Sequence, residues 1–202
     1  MTALRSDSAA GAAVPALTAS LTVDAAHRLQ GAAFLASPNH DERPDPQDIS
    51  LLVVHAISLP PDRFGGPWID DLFLNRLDPA ADPYFESIRE LRVSAHACIF
   101  RDGRITQYVP FDRRAWHAGK SVYEGRERCN DFSIGVELEG CDTQPFAGAQ
   151  YHALAALTNA LLRAYPRLTP ARIAGHSDIA PGRKTDPGPC FDWARYRAGI
   201  GP

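Results

Sequence analysis

The most constraining stretch of the sequence runs from Gly175 to Gly188 and reads GHSDIAPGRKTDPG. Its glycines and prolines predict a shaped loop rather than a helix or a strand, and loops held on a rigid scaffold often carry function. His176 and Asp186 are suitable zinc ligands, and Lys184 lies two residues before the aspartate, where an extended backbone directs both side chains the same way. The loop therefore predicts a metal ion with a cationic side chain beside it.

A third metal ligand must come from elsewhere, because catalytic zinc usually takes three protein groups. His55 follows the apolar run Leu51–Val54, which predicts a central strand buried on both faces. A histidine at the C-terminal end of such a strand lies at the mouth of the fold. We therefore predict a Zn²⁺ site formed by His55, His176 and Asp186.

Apolar runs near residues 51, 93, 105, 133 and 172 predict strands, and helical patterns lie between them. This order predicts the α/β (α+β) class, with a single mixed β-sheet flanked by helices. The runs 93–100 and 105–109 flank an Asp-Gly pair and predict a hairpin, within which we expect His96 to be buried and hydrogen-bonded. Helices are expected over 68–77, 82–91, 150–165 and 192–200.

Length and composition exclude several classes of protein. A chain of 202 residues suits one domain with a sizeable core, and its net charge of −3 gives no electrostatic footprint for nucleic acid. No apolar run approaches the roughly 18 residues that a membrane span needs. The four cysteines have no CxxC spacing, so we expect reduced thiols.

The first 20 residues are rich in alanine, serine and threonine. They lack the compact apolar segment that a signal peptide requires. We predict a disordered tail over 1–20 and a folded domain over 21–202, with an export signal in the tail as the alternative.

Four segments of the chain carry a family resemblance: LLVVH at 51–55, RAWHAG at 114–119, NDFSIGVELEG at 130–140, and the loop 175–188. Together they resemble the AmpD family of 1,6-anhydro-N-acetylmuramyl-L-alanine amidases, within the zinc amidase and peptidoglycan-recognition superfamily. The resemblance runs from about residue 22 to the C-terminus. It implies an amidase/peptidoglycan-recognition-like fold, with 21–202 as a zinc amidase domain.

The resemblance also implies an activity and a substrate. The expected reaction is zinc-dependent hydrolysis of the amide bond between the lactyl group of N-acetylmuramic acid and L-alanine. The expected partner is a 1,6-anhydro muropeptide released during peptidoglycan recycling, and the expected location is the cytoplasm. Charge and the lack of a long apolar run predict no nucleic-acid partner and no membrane partner.

Two glutamates leave the apolar run at 133–138 on one face of the expected strand, because Glu137 and Glu139 are two residues apart. The resemblance assigns Glu137 as the acid/base residue, and Glu139 is left as a supporting acid. Lys184 matches the family lysine and would complement the oxyanion, whereas we expect Arg183 to be solvated.

Candidate substrate contacts come from three residues. By resemblance, Arg92 and Arg128 hold the peptide of the substrate, and a guanidinium suits a carboxylate bidentately. Trp116 lies between small residues, where it could either fill the core or contact a sugar or peptide. The chain departs from the family pattern at Ala56, where an asparagine is typical, and at Ala95, where many zinc amidases carry a tyrosine.

Two other functions remain open from the sequence. A non-catalytic peptidoglycan-recognition module would typically lack the ligand at Asp186, which this chain keeps. A secreted autolysin acting on polymeric cell wall would be expected to carry a signal peptide and wall-binding repeats.

Overall fold

The computed structural model describes residues 21–201, so the tail predicted over 1–20 lies outside the described residues. The strands are β1 (Thr22–Val23), β2 (Leu29–Gln30), β3 (Ala33–Phe34), β4 (His40–Glu42), β5 (Leu51–Ile57), β6 (Ala97–Ile99), β7 (Ile105–Gln107), β8 (Arg113–Ala115), β9 (Val122–Tyr123), β10 (Arg126–Glu127), β11 (Ser133–Glu139) and β12 (Ile173–Gly175). The helices are α1 (Trp68–Phe73), α2 (Pro83–Ser87), α3 (Gly148–Ala164), α4 (His176–Ile179) and α5 (Trp193–Ala198), with a 3-10 turn at Cys129–Asp131.

A six-stranded sheet forms the centre of the molecule, in the order β12-β5-β11-β6-β7-β3. Strand β5 runs parallel to both β12 and β11, β11 runs parallel to β6, and β6 pairs antiparallel with β7. The predicted mixed sheet and the predicted hairpin are therefore both confirmed.

The central strand β5 is buried on both faces, as predicted. Leu52 and Val54 join the core cluster beneath α3, whereas Leu51 and Val53 pack in a separate cluster with Phe132 on the opposite face. Parallel strands covered on both faces are typically continuous apolar runs. The sheet therefore separates two layers of core, and β5 contributes to each of them.

Helix α3 covers one face of the sheet. Its apolar residues pack against the even-numbered residues of β11, which are Ile134, Val136 and Leu138. Since side chains alternate along a strand, the odd-numbered residues of β11 face the other layer. That second face carries the candidate site.

The structure corrects two local predictions and adds a strand in a polar segment. The loop 175–188 is not wholly irregular, because Gly175 ends β12 and α4 begins at His176. The Asp178 carboxylate accepts a hydrogen bond from the Gly175 amide at 2.7 Å, which stabilises the start of this four-residue helix. The helices predicted over 68–77 and 82–91 form but are shorter, and the polar segment 37–48 contains β4, which pairs with β8.

The four cysteines are free thiols. Within residues 21–201, none of the helices has the length and apolar character needed to span a bilayer.

The buried Arg43 side chain links several elements around the site through hydrogen bonds. One terminal nitrogen donates to the carbonyls of Asn130 and Asp131 at 3.1 and 3.2 Å. The other donates to those of Phe111 and Ser133 at 3.2 and 2.7 Å. Burial lowers the pKa of Arg43 to about 10, so the guanidinium remains charged at neutral pH.

We expect Arg43→Met to lower the free energy of unfolding by about 3 kcal/mol, because buried carbonyls would lose their donors. Urea denaturation measures this change. Arg76→Met is the matched control, since Arg76 is exposed and its ion pair with Asp71 is expected to contribute less than about 1 kcal/mol. Equal losses in the two variants would contradict the role of Arg43.

Candidate metal centre

Parallel strand pairing brings the two candidate histidine ligands together. Strand β12 pairs with β5 so that Gly175 lies opposite Val54, and the next residue along each strand is His176 or His55. The loop after α4 then returns, and the Ser177 amide donates to the Asp186 carbonyl at 2.9 Å. This backbone hydrogen bond places Asp186 beside His176.

The three predicted ligands meet at one point. The His55 and His176 Nδ1 atoms are 3.0 Å apart, and Asp186 Oδ2 lies 3.2 Å from the first and 3.0 Å from the second. Ligand atoms about 2.0–2.1 Å from a tetrahedral zinc ion lie roughly 3.3 Å from one another. The spacing of these three atoms therefore fits a small tetrahedral cation.

The hydrogen bonds of His176 leave the correct atom free for a metal ion. Its Nε2 lies 3.1 Å from the Ala118 carbonyl, which can only accept, so Nε2 carries the proton. The Nδ1 atom consequently presents a lone pair toward Asp186. Two nitrogens and a carboxylate oxygen form a donor set that suits zinc, and a divalent cation satisfies their converging electron pairs.

The protonation states of the cluster also favour metal binding. Burial lowers the pKa of His55 to about 4, so its ring is neutral at physiological pH. Burial alone would raise the pKa of Asp186, but the adjacent His176 and His55 rings lower it well below the ordinary range. Metal ligands must be deprotonated, and these two residues meet that requirement.

Glu137 lies beside the cluster, because β11 pairs with β5 so that Glu137 is opposite His55. Its Oε2 atom is buried and has no hydrogen-bond partner. Burial raises the pKa of Glu137 well above its usual value, the Asp186 charge raises it further, and Lys184 opposes the shift. A carboxylate in this environment is a stronger base than an exposed one.

A cleft of about 610 Å³ opens at the cluster and contains most of the predicted site residues. Its walls include His176 and Asp186, together with Glu137, Lys184 and Trp116. One wall is apolar and is formed by Leu59, Leu72, Ile88 and Leu91. Trp116 therefore lies on the cleft wall, only partly buried.

The two candidate arginines differ in position. Arg92 lines the cleft, and its Nη1 donates to the carbonyls of Arg89 and Leu91 at 3.0 and 3.1 Å. Arg128 is not among the residues that line the cleft. Its side chain is 70% exposed and pairs with Asp131 at 3.1 Å.

Two charged neighbours make backbone contacts that the sequence did not indicate. Arg183 is exposed, as expected, and its Nη2 also donates to the carbonyls of Ala118 and Lys120 at 2.6 and 2.7 Å. Glu139 is not beside Glu137 in the cleft; its two oxygens accept from the amides of Gly65 and Arg101. Glu139 therefore anchors the segment 58–67 between β5 and α1, which we call the rim loop because several of its residues line the cleft.

His117 is a site residue that the sequence did not assign. It lines the cleft, and its Nδ1 is 2.9 Å from His55 Nε2. The only signal available from the sequence was its place among small residues in the RAWHAG segment. The two residues that depart from the family pattern lie in different environments. Ala56 lines the cleft, whereas Ala95 is fully buried in the core.

The fold and the cluster together define a class: mixed-sheet proteins whose parallel strands bring two histidines and an aspartate into a cluster that could hold a metal ion, beside a glutamate with a buried carboxylate oxygen. Residues 45–189 match the family model of N-acetylmuramoyl-L-alanine amidase. The chain belongs to this amidase family.

Curated relatives agree with this assignment. The 1,6-anhydro-N-acetylmuramyl-L-alanine amidase AmpD of Citrobacter freundii is 63% identical over 174 residues, which cover 86% of this chain and 92% of the relative. AmpD of Escherichia coli K12 is 63% identical over 169 residues, covering 84% and 92%.

Solved structures agree as well. A crystal structure of a selenomethionine AmpD derivative has a TM-score of 0.85 at 61% identity, covering 87% of this chain and 98% of the other. A complex of Escherichia coli AmiD with anhydro-N-acetylmuramic acid-L-Ala-D-gamma-Glu-L-Lys has a TM-score of 0.57 at 32% identity, covering 77% and 59%.

We expect Asp186→Ala to lower zinc affinity by more than the roughly 100-fold typical of supporting residues, because one of three ligands is lost. Elemental analysis after dialysis, together with chelator competition, measures the change. Asp62→Asn, an exposed aspartate near the same end of the sheet, is the control and should retain zinc. Full zinc in the Asp186 variant would show that the ligand set is wrong.

Proposed function

We propose that the protein is a zinc-dependent amidase that cleaves the bond between the lactyl group of N-acetylmuramic acid and L-alanine. Its preferred substrates are 1,6-anhydro muropeptides, and it acts in peptidoglycan recycling in the cytoplasm. The observation that carries the zinc assignment is the convergence of His55, His176 and Asp186 within 3.0–3.2 Å, with Glu137 on the adjacent strand. The substrate assignment rests on relatives that share about 63% of their residues over most of both chains.

Hydrolysis of an amide needs a nucleophile, stabilisation of the developing oxyanion and a proton for the leaving amine. Zinc, when held by His55, His176 and Asp186, supplies Lewis acidity that lowers the pKa of water to about 7 and polarises a carbonyl. The remaining requirements fall to side chains of the chain itself.

Glu137 is the proposed general base. Its buried Oε2 has no competing partner, so it is free to take a proton from the attacking water. The same oxygen then returns that proton to the nitrogen of the leaving L-alanine. The raised pKa of Glu137 suits both steps, because the group must accept a proton and afterwards release it.

Lys184 is the proposed oxyanion partner. It lines the same cleft as Glu137 and Asp186, and its charge lowers the pKa of both Glu137 and His55. An ammonium at this position stabilises negative charge on the substrate carbonyl oxygen as it develops.

The cleft offers contacts for both parts of a glycopeptide. The ring of Trp116 provides a flat apolar face for the sugar or the peptide, beside the apolar wall formed by Leu72 and Leu91. Arg92 provides a charge for a peptide carboxylate. Arg128, outside the cleft walls, would have to reach the peptide from the rim.

The two rival functions are less well supported. The curated relatives are amidases, and the Asp186 ligand position is retained, which disfavours a non-catalytic recognition module. An autolysin acting on polymeric wall differs from the proposed enzyme in its substrate, which an assay separates directly.

We expect Glu137→Gln to keep one equivalent of zinc and to lower kcat by about 10²–10⁴-fold, because the isosteric amide cannot take up the proton. Steady-state kinetics and elemental analysis measure the two effects. Glu127→Gln changes an exposed glutamate and serves as the control. Unchanged kinetics in the Glu137 variant would remove this residue from the mechanism.

For substrate choice, we expect kcat/KM for an anhydro-muropeptide to exceed that for intact sacculus by at least about 100-fold, because a cleft shaped for a small glycopeptide discriminates through its contacts. Release of L-alanine-terminated peptide from each substrate can be quantified by liquid chromatography, with the Glu137→Gln protein as the blank. A preference for sacculus would contradict the recycling role while leaving the amidase activity in place.

A further inference from the structure

A continuous line of hydrogen bonds leads away from the metal centre through His55. Its Nε2 lies 2.9 Å from His117 Nδ1, and His117 Nε2 lies 3.2 Å from the Ser133 hydroxyl. The Ser133 hydroxyl in turn lies 2.6 Å from the Cys129 carbonyl oxygen. The line thus joins a candidate metal ligand on β5 to the backbone of the 3-10 turn.

The final carbonyl determines the direction of every bond in this line. A carbonyl oxygen has no proton to donate, so the Ser133 hydroxyl must donate to Cys129 and accept from His117 Nε2. His117 Nδ1 is then an acceptor, and the His55 Nε2–H group donates a hydrogen bond to it. The His55 Nδ1 atom consequently keeps a lone pair, and this atom is the one that faces His176 and Asp186.

The surroundings of His117 are shaped to hold its ring in place. A Cβ atom on Gly135 would lie 2.4 Å from His117 Cγ and Nδ1, so only glycine leaves room for the ring against β11. The backbone is fixed as well, since the Asn130 side-chain oxygen accepts from the amides of His117 and Ala118 at 3.2 and 2.8 Å. The ring therefore has little freedom to turn away from His55.

We propose that His117 and Ser133 form a positioning relay that holds His55 in the tautomer able to bind zinc through Nδ1. The relay rests on the zinc centre proposed above and explains how His55 is oriented within it. Outer partners of this kind commonly contribute a factor of 10–100 in metal affinity.

The acceptors behind the two candidate histidine ligands are uncharged, and this affects the charge at the metal site. A metal-bound histidine often donates its second proton to a carboxylate, which adds negative charge behind the ligand. Here the acceptor behind His55 is an imidazole, and the one behind His176 is the Ala118 carbonyl. Asp186 is then the one carboxylate among the three ligands and their immediate acceptors, so the cation keeps more of its Lewis acidity.

The test compares two substitutions at one position. His117→Ala removes the acceptor for His55, and we expect its zinc dissociation constant to rise 10–100-fold in chelator competition. His117→Asn places an amide oxygen near the former Nδ1 position, and we expect it to recover an affinity within a few-fold of wild type. Equal affinity in His117→Ala and wild type, or no recovery in His117→Asn, would overturn the relay.

Ser133→Ala provides a milder and independent test. It keeps the His117 ring but removes the acceptor that fixes its tautomer, so we expect a rise of about 3–10-fold in the zinc dissociation constant. An unchanged constant would remove Ser133 from the relay. In each variant, the visible absorption spectrum of the Co²⁺-loaded protein gives a second measure, and its bands should shift in His117→Ala and return in His117→Asn.

A variant of the neighbouring buried histidine, His96, tests whether His117 acts by positioning His55 or only by filling the core. The His96 ring lies 5.7 Å from that of His117, and its Nδ1 accepts from the Gly135 amide at 3.0 Å, but it does not contact a proposed ligand. We expect His96→Asn to lower thermal stability without weakening zinc binding. An equal loss of zinc affinity in this variant would show that any defect beneath the site suffices, and would overturn the relay.

The same measurements distinguish failure of the relay from failure of the zinc centre. If the wild-type protein holds no stoichiometric zinc, the metal assignment itself is wrong. If the wild type holds one equivalent and His117→Ala binds it equally tightly, the relay alone is wrong.

Discussion

The parallel pairing of β5 with β12 on one side and β11 on the other is the constraint on which the site depends. Parallel strands end at the same edge of a sheet, so strand pairing alone brings together residues that are distant in sequence. His55, His176 and Glu137 all reach the site in this way, from three adjacent strands. Asp186, the candidate ligand that neither lies in a strand nor directly follows one, is held by a backbone hydrogen bond to the residue after His176.

Strand β11 serves two purposes at once because its side chains alternate. Its even positions fill the core beneath α3, and its odd positions supply Ser133 and Gly135 beside His117, Glu137 at the site and Glu139 at the loop that follows β5. A shift of one residue in its pairing with β5 would move the glutamates into the core beneath α3 and move the apolar residues to the face that carries the site. The apolar face therefore fixes the register, and the register in turn fixes where Glu137 lies relative to His55.

The sequence predicted those parts of the site that depend on local chemistry. The candidate metal ligands could be predicted because a histidine after a buried strand and a His/Asp-bearing loop are recognisable without knowledge of their partners. The structure places their ligand atoms within 3.2 Å of one another. The mixed sheet was predictable for a similar reason, since apolar runs and helical spacing are local patterns.

The sequence did not indicate the contacts that depend on distant backbone atoms. Arg183 binds carbonyls more than 60 positions away, and Glu139 binds the amide of Gly65, 74 positions away. A polar side chain gives no sign in the sequence of which backbone group it will reach. His117 was missed because its role depends on contacts with Gly135 and Ser133 of β11, which lie beside it only in the folded protein.

The anchoring by Glu139 has a consequence for how such a protein can diversify. Glu139 binds the rim loop and lies two residues after Glu137 in the same strand. The entrance of the cleft and the proposed base therefore share one rigid support. Changes of sequence within that rim can alter which molecules are admitted while the bond-breaking apparatus stays where it is, so selectivity and chemistry can evolve separately.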